Sequence, residues 1–154
     1  MKHIVLLFFV IFFVGCSQPV DIVTAEEQLL LDIEAIDKYL ADNKITAVSH
    51  SSGLRYVVTQ AGTGGKPNFT NTVTVTYAGR LLANGTVFDE RKTPISFPLN
   101  TLIQGWQIAF PLLNKGSKAT LYIPSGLGYG ALGSGTTIPP NSNLIFDVEL
   151  IDFR

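Results

Sequence analysis

One alternating segment, followed by a tight turn, constrains the fold of this chain more than any other feature. Apolar or small side chains take every second position from 73 to 81, namely Val73, Val75, Tyr77, Gly79 and Leu81. A period of two is typical of a β-strand with one buried face. Asn84-Gly85 follows, a strong hairpin signal, and a return strand begins at Val87. The sequence therefore predicts an antiparallel hairpin.

The rest of this region predicts more strands and one central helix. Short extended segments are expected at 54–60, 94–99, 119–123 and 144–151, and an apolar helix is expected at 102–113 with Pro111 near its end. Residues 124–143 are rich in Gly, Pro, Ser, Thr and Asn and predict a long functional loop. Strands and helix segregated in this way favour an α+β domain, an antiparallel sheet with a helix on one face.

The N-terminus carries a targeting signal. Residues 4–14 are an unbroken apolar run between a short basic start and Gly15-Cys16. The run is shorter than the roughly 20 residues of a membrane-spanning helix. A basic start, an apolar run and a small residue follow one another as in a signal peptide, which is predicted over residues 1–15. It resembles bacterial lipoprotein signals, in which the cysteine becomes lipid-modified, so Cys16 is the predicted lipidation site and residues 16–23 a tether. A free cysteine after an ordinary signal peptide is the alternative.

A helix is predicted at 24–43. Thr24 and Glu27 have the spacing of a capping box, and one apolar stripe follows at Leu29, Ile33, Ile36 and Leu40. This stripe needs a cover, either the chain's own sheet or the same helix of a second copy. Because the helix is short and a polar connection follows it, we expect it to fold back onto its own sheet or to serve as a spacer, and either option predicts a monomer.

The residue inventory excludes several reaction classes. A formal net charge of −1 gives no electrostatic case for nucleic-acid binding. The single cysteine excludes an intramolecular disulfide and a cysteine zinc cluster. No phosphate-binding loop and no His-Glu-x-x-His motif occurs, and His50 is interpreted as an exposed loop histidine. We therefore predict no metal and no cofactor.

Aromatic side chains remain as the candidate chemistry. Six of them lie on or beside separate elements: Tyr77, Phe88, Phe97, Trp106, Tyr129 and Phe146. Such rings dominate any small core, but the polar tips of Trp and Tyr need partners when they are buried. Asp89 places a carboxylate directly after Phe88.

The domain at 53–154 resembles the FKBP-type peptidyl-prolyl isomerases. The resemblance lies in short motifs in the family's order: Val-Thr-Val-Thr-Tyr-Ala-Gly-Arg-Leu at 73–81, Asn-Gly-Thr-Val-Phe-Asp at 84–89, Ile-Gln-Gly-Trp at 103–106, Gly-Ser-Lys-Ala at 116–119, Ile-Pro at 123–124, Gly-Tyr-Gly at 128–130, Ile-Pro-Pro-Asn at 138–141 and Leu-Ile-Phe-Asp-Val-Glu-Leu at 144–150. Each motif is weak alone, and together they are specific.

The resemblance implies a curled antiparallel β-sheet wrapped around one short helix, here with an extra N-terminal helix. It implies a pocket between helix and sheet, with Trp106 as the floor. Five residues are carried over as catalytic: Tyr77, Phe88, Asp89, Tyr129 and Ile138, whose backbone N–H would bind a peptide carbonyl. Five are carried over as substrate-binding: Phe97, Leu102, Ile103, Trp106 and Phe146.

The implied activity is peptidyl-prolyl cis-trans isomerisation, assisting protein folding outside the cytoplasm. The implied partners are proline-containing polypeptides and the family's macrolide inhibitors. The lipoprotein-like signal adds a membrane, reached through the N-terminal lipid, and predicts a location on the periplasmic side or the cell surface of a bacterial membrane. A non-catalytic FKBP-like peptide-binding module or chaperone is the alternative that uses the same pocket.

Overall fold

The first element of the computed structural model, which describes residues 23–154, is helix α1, Ala25–Asp42. The Thr24 Oγ1 accepts a hydrogen bond from the Glu27 N–H at 3.2 Å, and the Thr24 N–H donates to Glu27 Oε2 at 2.8 Å. The predicted capping box and N-terminal helix are therefore confirmed. The predicted signal peptide and Cys16 lie outside the described residues.

Six strands form one antiparallel sheet. They are β1 (Val48–Ser49), β2 (Arg55–Gln60), β3 (Thr72–Leu81), β4 (Val87–Pro98), β5 (Lys118–Ile123) and β6 (Leu144–Phe153). Their order across the sheet is β1-β2-β5-β6-β3-β4, and every neighbouring pair is antiparallel. The two longest pairings join β3 to β4 and to β6, so the alternating segment 73–81 lies inside the sheet.

The predicted hairpin joins β3 to β4. Gly85 has a positive φ of 73°, which is easily adopted only by glycine, and its N–H donates to the Leu81 carbonyl at 2.9 Å. The prediction of a separate extended piece at 94–99 is wrong, because β4 is one strand of 12 residues. Between the pairs Val75–Ile95 and Tyr77–Arg91, β3 advances by two residues and β4 by four. The extra residues bulge and bend the strand, which continues past them.

A short helix, α2 (Gln104–Ala109), packs on one face of the sheet. The expected helix at 102–113 is shorter than predicted, because the chain tightens into a 3-10 turn at Phe110–Leu112. Pro111 lies in this turn, where its missing N–H costs no α-helical hydrogen bond. Two further 3-10 turns, Ser125–Leu127 and Gly130–Leu132, interrupt the loop 124–143.

The two faces of the sheet carry separate hydrophobic clusters. The inner face, which meets α2, holds the larger cluster, and Leu121 of β5 belongs to it. The neighbouring Tyr122 points to the outer face, where it forms a second cluster with Ile145, Ile36 and Leu40. The last two belong to α1, so the prediction that α1 folds back onto its own sheet is confirmed. Within residues 23–154, no helix has the length and apolar character needed to cross a membrane.

Candidate functional site

A cavity of about 280 Å³ opens between α2 and the inner face of the sheet. Its walls are Tyr77, Phe88, Asp89, Phe97, Thr101, Leu102, Ile103, Trp106, Tyr129 and Phe146. The structure thus brings together nine of the ten residues that the sequence placed in the pocket. Ile138 is the exception, and Thr101 is a wall residue that the sequence did not indicate.

The sheet register explains how distant residues meet at this cavity. Gly79 of β3 lies directly opposite Asp89 on one neighbouring strand and Phe146 on the other. A Cβ at Gly79 would stand 2.6 Å from the Phe146 ring and 2.7 Å from the Phe88 ring. The absence of a side chain at position 79 therefore lets both rings approach β3. In the sequence, Gly79 belongs to the alternating positions of the predicted strand and to the motif at 73–81, and neither pattern indicates this role.

Three rings form the floor and two sides of the pocket in edge-to-face geometry. The Trp106 ring centroid lies 5.2 Å from that of Tyr77 and 5.2 Å from that of Phe146, with interplanar angles of 86° and 84°. Phe110 supports Trp106 with a centroid distance of 5.0 Å. Edge-to-face contacts favour this arrangement beyond simple area burial, so the floor keeps its shape without filling the cavity.

One donor at this floor has no partner within residues 23–154. The Trp106 Nε1–H is buried and makes no hydrogen bond there. A buried N–H without an acceptor costs free energy.

The rim of the pocket is polar. The Tyr77 hydroxyl donates to Asp89 Oδ2 at 2.5 Å. Burial raises the pKa of Tyr77 to about 12, and the hydrogen bond to Asp89 adds to the rise. Burial, and then the nearby Asp89 carboxylate, also raises the pKa of Tyr129. Both hydroxyls stay protonated at neutral pH, and that of Tyr77 donates to Asp89.

A short turn before α2 supplies the remaining wall. Thr101 lies in the 3-10 turn Leu99–Thr101, and its hydroxyl donates to the Pro98 carbonyl at 2.8 Å. The Gln107 side chain of α2 donates to the Leu102 carbonyl at 2.6 Å and holds the turn against the helix. Ile103 then caps α2 without a side-chain hydrogen bond, and its backbone N–H has no acceptor within residues 23–154.

The structure contradicts the role expected for Ile138. Its N–H donates to the Ser134 carbonyl at 3.1 Å, and its carbonyl accepts from the Ser134 N–H at 2.8 Å. Its side chain is buried in the inner cluster rather than in the cavity wall. The donor expected to bind a peptide carbonyl is therefore already used inside the loop.

His50 lies away from this cavity. It is half-buried rather than exposed, and its Nδ1 accepts from the Ser52 N–H at 3.2 Å. Within the described part of the chain, no group of three or more His, Cys, Asp or Glu side chains is placed to hold a metal ion.

The fold and the pocket define a class of small α+β protein in which a curled antiparallel sheet encloses an aromatic pocket against one short helix. A family profile described as FKBP-type peptidyl-prolyl cis-trans isomerase matches residues 64–151. The chain belongs to this family, which confirms the resemblance seen in the sequence motifs.

Known relatives agree with this assignment. The chain is 47% identical over 104 residues to the probable FKBP-type peptidyl-prolyl cis-trans isomerase FkpA of Neisseria meningitidis, covering 66% of this chain and 38% of that protein. It is 40% identical over 123 residues to the outer membrane protein MIP of Legionella longbeachae, covering 77% and 52% respectively. The chain therefore spans about two fifths to one half of the length of these relatives.

A solved structure has the same fold. The crystal structure of a peptidyl-prolyl cis-trans isomerase from Pseudomonas syringae pv. tomato superimposes with a TM-score of 0.71 at 34% identity, covering 80% of this chain and 94% of that one.

Proposed function

We propose that this protein is a peptidyl-prolyl cis-trans isomerase that assists protein folding outside the cytoplasm. The observation that carries the proposal is the aromatic cavity, whose floor of Trp106 and walls of Tyr77 and Phe146 are apolar and whose rim bears one carboxylate. The residues of the cavity fit a proline ring and its preceding peptide bond.

The reaction needs no bond to carbon to break. An X–Pro amide resists rotation with a barrier of roughly 18–20 kcal/mol, because C–N resonance gives the bond partial double-bond character. The charge-separated resonance form is favoured in water and disfavoured in an apolar cavity. The twisted transition state has lost this resonance, so an apolar pocket binds it better, relative to the planar amide, than water does. Such differential binding accelerates the rotation.

The polar rim has the task of orienting the peptide. We assign the twisting of the amide to the walls formed by Tyr77, Phe88 and Tyr129 with Asp89, whose carboxylate is held by the Tyr77 hydroxyl. Fixed donors that hold the carbonyls of a bound peptide contribute by orientation. The Tyr129 hydroxyl and the Ile103 N–H, which has no acceptor within residues 23–154, are the donors that we propose for this role. Ile103 replaces Ile138 in it.

The remaining wall residues are proposed to bind substrate. Trp106 receives the proline ring, and the other contacts come from Phe97, Leu102, Ile103 and Phe146. A cavity of this shape also suits the macrolide inhibitors of the family, which therefore serve as competitive probes.

An isomerisation assay on a short X-Pro-Phe peptide tests the function. We expect the purified full chain to accelerate isomerisation, and Asp89→Ala to lower kcat/KM by about tenfold, since one charged hydrogen-bonding group is worth roughly 1.5–3 kcal/mol. The matched control is Asp152→Ala, because Asp152 is exposed and pairs with Lys115 outside the cavity. We expect this control to keep the wild-type rate.

The alternative class of protein gives a different outcome. A non-catalytic binding module or chaperone would bind the same peptide, and Asp89→Ala would weaken binding, but the wild type would leave the isomerisation rate at its spontaneous value. Binding without acceleration would therefore replace the isomerase proposal with this alternative.

We further propose that the chain is exported and anchored to a bacterial membrane through a lipid on Cys16. The support is the order of basic start, apolar run and cysteine in residues 1–16, together with a relative named as an outer membrane protein. Replacing Cys16 by Ser should release the protein from the membrane fraction or block its processing. Membrane association unchanged by this substitution would refute the anchor.

We propose that the protein is a monomer, because the sheet of the same chain covers Ile36 and Leu40 of α1. Sedimentation at several concentrations tests this proposal, and a stable dimer would overturn it.

A further inference from the structure

Helix α1 lies outside the residues matched by the family profile, yet it reaches a loop of the pocket through one buried carboxylate. Asp32 is 2% exposed, and its Oδ2 accepts from the Ser125 hydroxyl at 2.6 Å and from the Ser125 N–H at 2.8 Å. Its Oδ1 accepts from the Gln28 side chain at 2.9 Å. Ser125 is fully buried. A buried carboxylate is costly unless hydrogen bonds satisfy it, and here three donors do so.

Asn143, the residue before β6, reinforces the same junction. Its Oδ1 also accepts from the Ser125 N–H, at 3.0 Å, and its Nδ2 donates to the Asp32 carbonyl at 3.3 Å. Ser125 is thereby held by α1 and by the residue that precedes β6.

Ser125 opens the turn that leads to Tyr129. The 3-10 turn Ser125–Leu127 closes with hydrogen bonds from the Leu127 and Gly128 N–H groups to the Pro124 and Ser125 carbonyls, at 2.9 and 3.0 Å. Tyr129, a wall of the cavity, follows directly. On its other side the Gly130 carbonyl accepts from the Asn141 N–H at 2.9 Å. Tyr129 therefore stands between two fixed points, and the first of them is the Asp32–Ser125 contact.

We propose that Asp32 is a positioning residue for the pocket: its carboxylate holds the Ser125 turn so that Tyr129 forms the wall against which a proline peptide binds. The inference rests on the proposed function and deepens it, since it makes the N-terminal helix a part of the binding site's support. Asp32 touches no bound peptide itself, and it acts through Ser125 and the turn.

The chain offers a matched control on the same helix. Asp37 also joins α1 to the sheet, through a bidentate contact with the Arg55 guanidinium at 2.9 and 3.0 Å. This contact reaches β2 and not the Tyr129 loop. Asp37→Ala therefore loosens α1 from the domain without disturbing Ser125, whereas Asp32→Ala removes the acceptor of the Ser125 hydroxyl.

Trp106 provides a direct readout, because it is the single tryptophan of the chain and forms the floor of the cavity. The experiment titrates an X-Pro-Phe peptide against the full chain by tryptophan fluorescence and measures kcat and KM in the isomerisation assay. We expect Asp32→Ala to raise Kd and KM by about tenfold, because a wall displaced by a fraction of an ångström no longer fits the peptide. Because Tyr129 is also one of the walls assigned to the twisting of the amide, we expect kcat to fall as well.

Conservative variants separate positioning from general support of the fold. Asp32→Asn keeps one oxygen for Ser125, while Gln28 can turn its own amide to accept from the new amide group, so we expect Kd and KM within about threefold of the wild type. Asp37→Ala should leave both constants within about twofold. Equal losses in Asp32→Ala and Asp37→Ala, at equal thermal stability, would overturn the inference.

Two further outcomes remain decisive. If Asp32→Ala does not fold, Ser125→Ala removes the hydroxyl alone and should raise Kd about threefold, and a wild-type Kd in that variant would overturn the inference. If the wild type binds the peptide but does not isomerise it, the isomerase proposal fails, and the fluorescence titrations still decide whether Asp32 positions the wall.

Discussion

The inner and outer faces of the sheet differ in packing: the inner face leaves a cavity between its side chains, and the outer face buries its side chains against α1. On the inner face, the cluster around Trp106 and Phe110 encloses a cavity of about 280 Å³ and leaves the Trp106 N–H without a partner within residues 23–154. On the outer face, Ile36 of α1 is fully buried against Tyr122 and Ile145. Polar contacts at Asp32 and Arg55 fasten this helix to the domain.

The difference shows that one sheet separates two tasks. The inner face leaves a cavity between its aromatic side chains, and the close packing lost there costs stability locally. The outer face contributes apolar burial and polar contacts, of which the Asp32–Ser125 contact is buried, and these hold the elements around the cavity in place. Substitutions on the inner face should therefore change both stability and peptide binding. Substitutions in the apolar cluster of the outer face should change stability alone.

The largest effect is expected behind the floor of the pocket. Phe110 is fully buried and packs against Trp106, so Phe110→Ala should lower the free energy of unfolding by about 3–5 kcal/mol and should also weaken peptide binding. Denaturant unfolding measures the loss. Phe69→Ala is the control, because Phe69 is 52% exposed and should change stability by less than about 0.5 kcal/mol. Equal effects at both positions would contradict the packing described here.

A smaller loss is expected on the outer face. Ile36→Ala removes a fully buried side chain of α1 and should cost about 2–4 kcal/mol in the free energy of unfolding. Because Ile36 packs in the outer cluster with Tyr122 and Ile145 and does not line the cavity, kcat/KM of the folded protein should stay within about twofold. Leu30→Ala on the same helix is the control, since Leu30 is 63% exposed. A tenfold loss of kcat/KM in folded Ile36→Ala would break the separation between the two faces.

A methyl group at Gly79 should change peptide binding in the cavity more than it changes the stability of the fold. The added Cβ would lie 2.6 Å from the Phe146 ring, so Gly79→Ala should push the ring into the cavity, cost about 1–3 kcal/mol of stability and weaken peptide binding by about tenfold. Gly126→Ala is the matched variant, because a Cβ there meets nothing within 4 Å. Trp106 fluorescence and thermal unfolding measure the two effects, and unchanged binding in Gly79→Ala would show that the ring moves elsewhere.

The smallest effect concerns the rim and depends on pH. Tyr77→Phe removes the hydrogen bond to Asp89 and should cost about 1 kcal/mol at neutral pH. The folded-state pKa of Tyr77, about 12, is above the ordinary value of about 10, so the folded state binds this proton more tightly than the unfolded state. The contribution is therefore full below pH 10 and is lost as pH rises through about 12.

Denaturant unfolding from pH 8 to 12 measures this contribution. The difference in the free energy of unfolding between wild type and Tyr77→Phe should shrink over pH 10–12. Tyr56→Phe on β2, outside the cavity, serves as the control. A difference that is constant with pH would contradict the raised pKa of Tyr77.

The elements that the sequence predicted correctly depend on neighbours along the chain. The period of two at 73–81, the Asn84-Gly85 turn and the Thr24 capping box each involve residues within a few positions of one another, and each appears in the structure. The aromatic wall residues were identified from the family motifs, each of which also spans only a few neighbouring residues. Local periodicity and turn chemistry restrict backbone dihedral angles directly, and for this reason they can be read without knowing the fold.

The features that the sequence did not predict depend on contacts between residues that are far apart in the sequence and meet only in the folded protein. Asp32 and Ser125 are 93 positions apart, and no local pattern marks either as one of a pair. The Ile138 N–H was assigned to a substrate, but the loop folds so that the Ser134 carbonyl accepts it. Strand β4 continues past its bulge because it pairs with β3 on both sides of it.

The sequence by itself determined which segments become strands and helices and which side chains share a face, because these follow from dihedral preferences and burial of apolar surface. Only the tertiary structure decided which buried donor meets which acceptor, and therefore which groups remain free at the pocket. These pairings form when α2 packs on the inner face of the sheet and α1 packs on the outer face. Buried polar groups then need partners among the groups that the fold brings within reach.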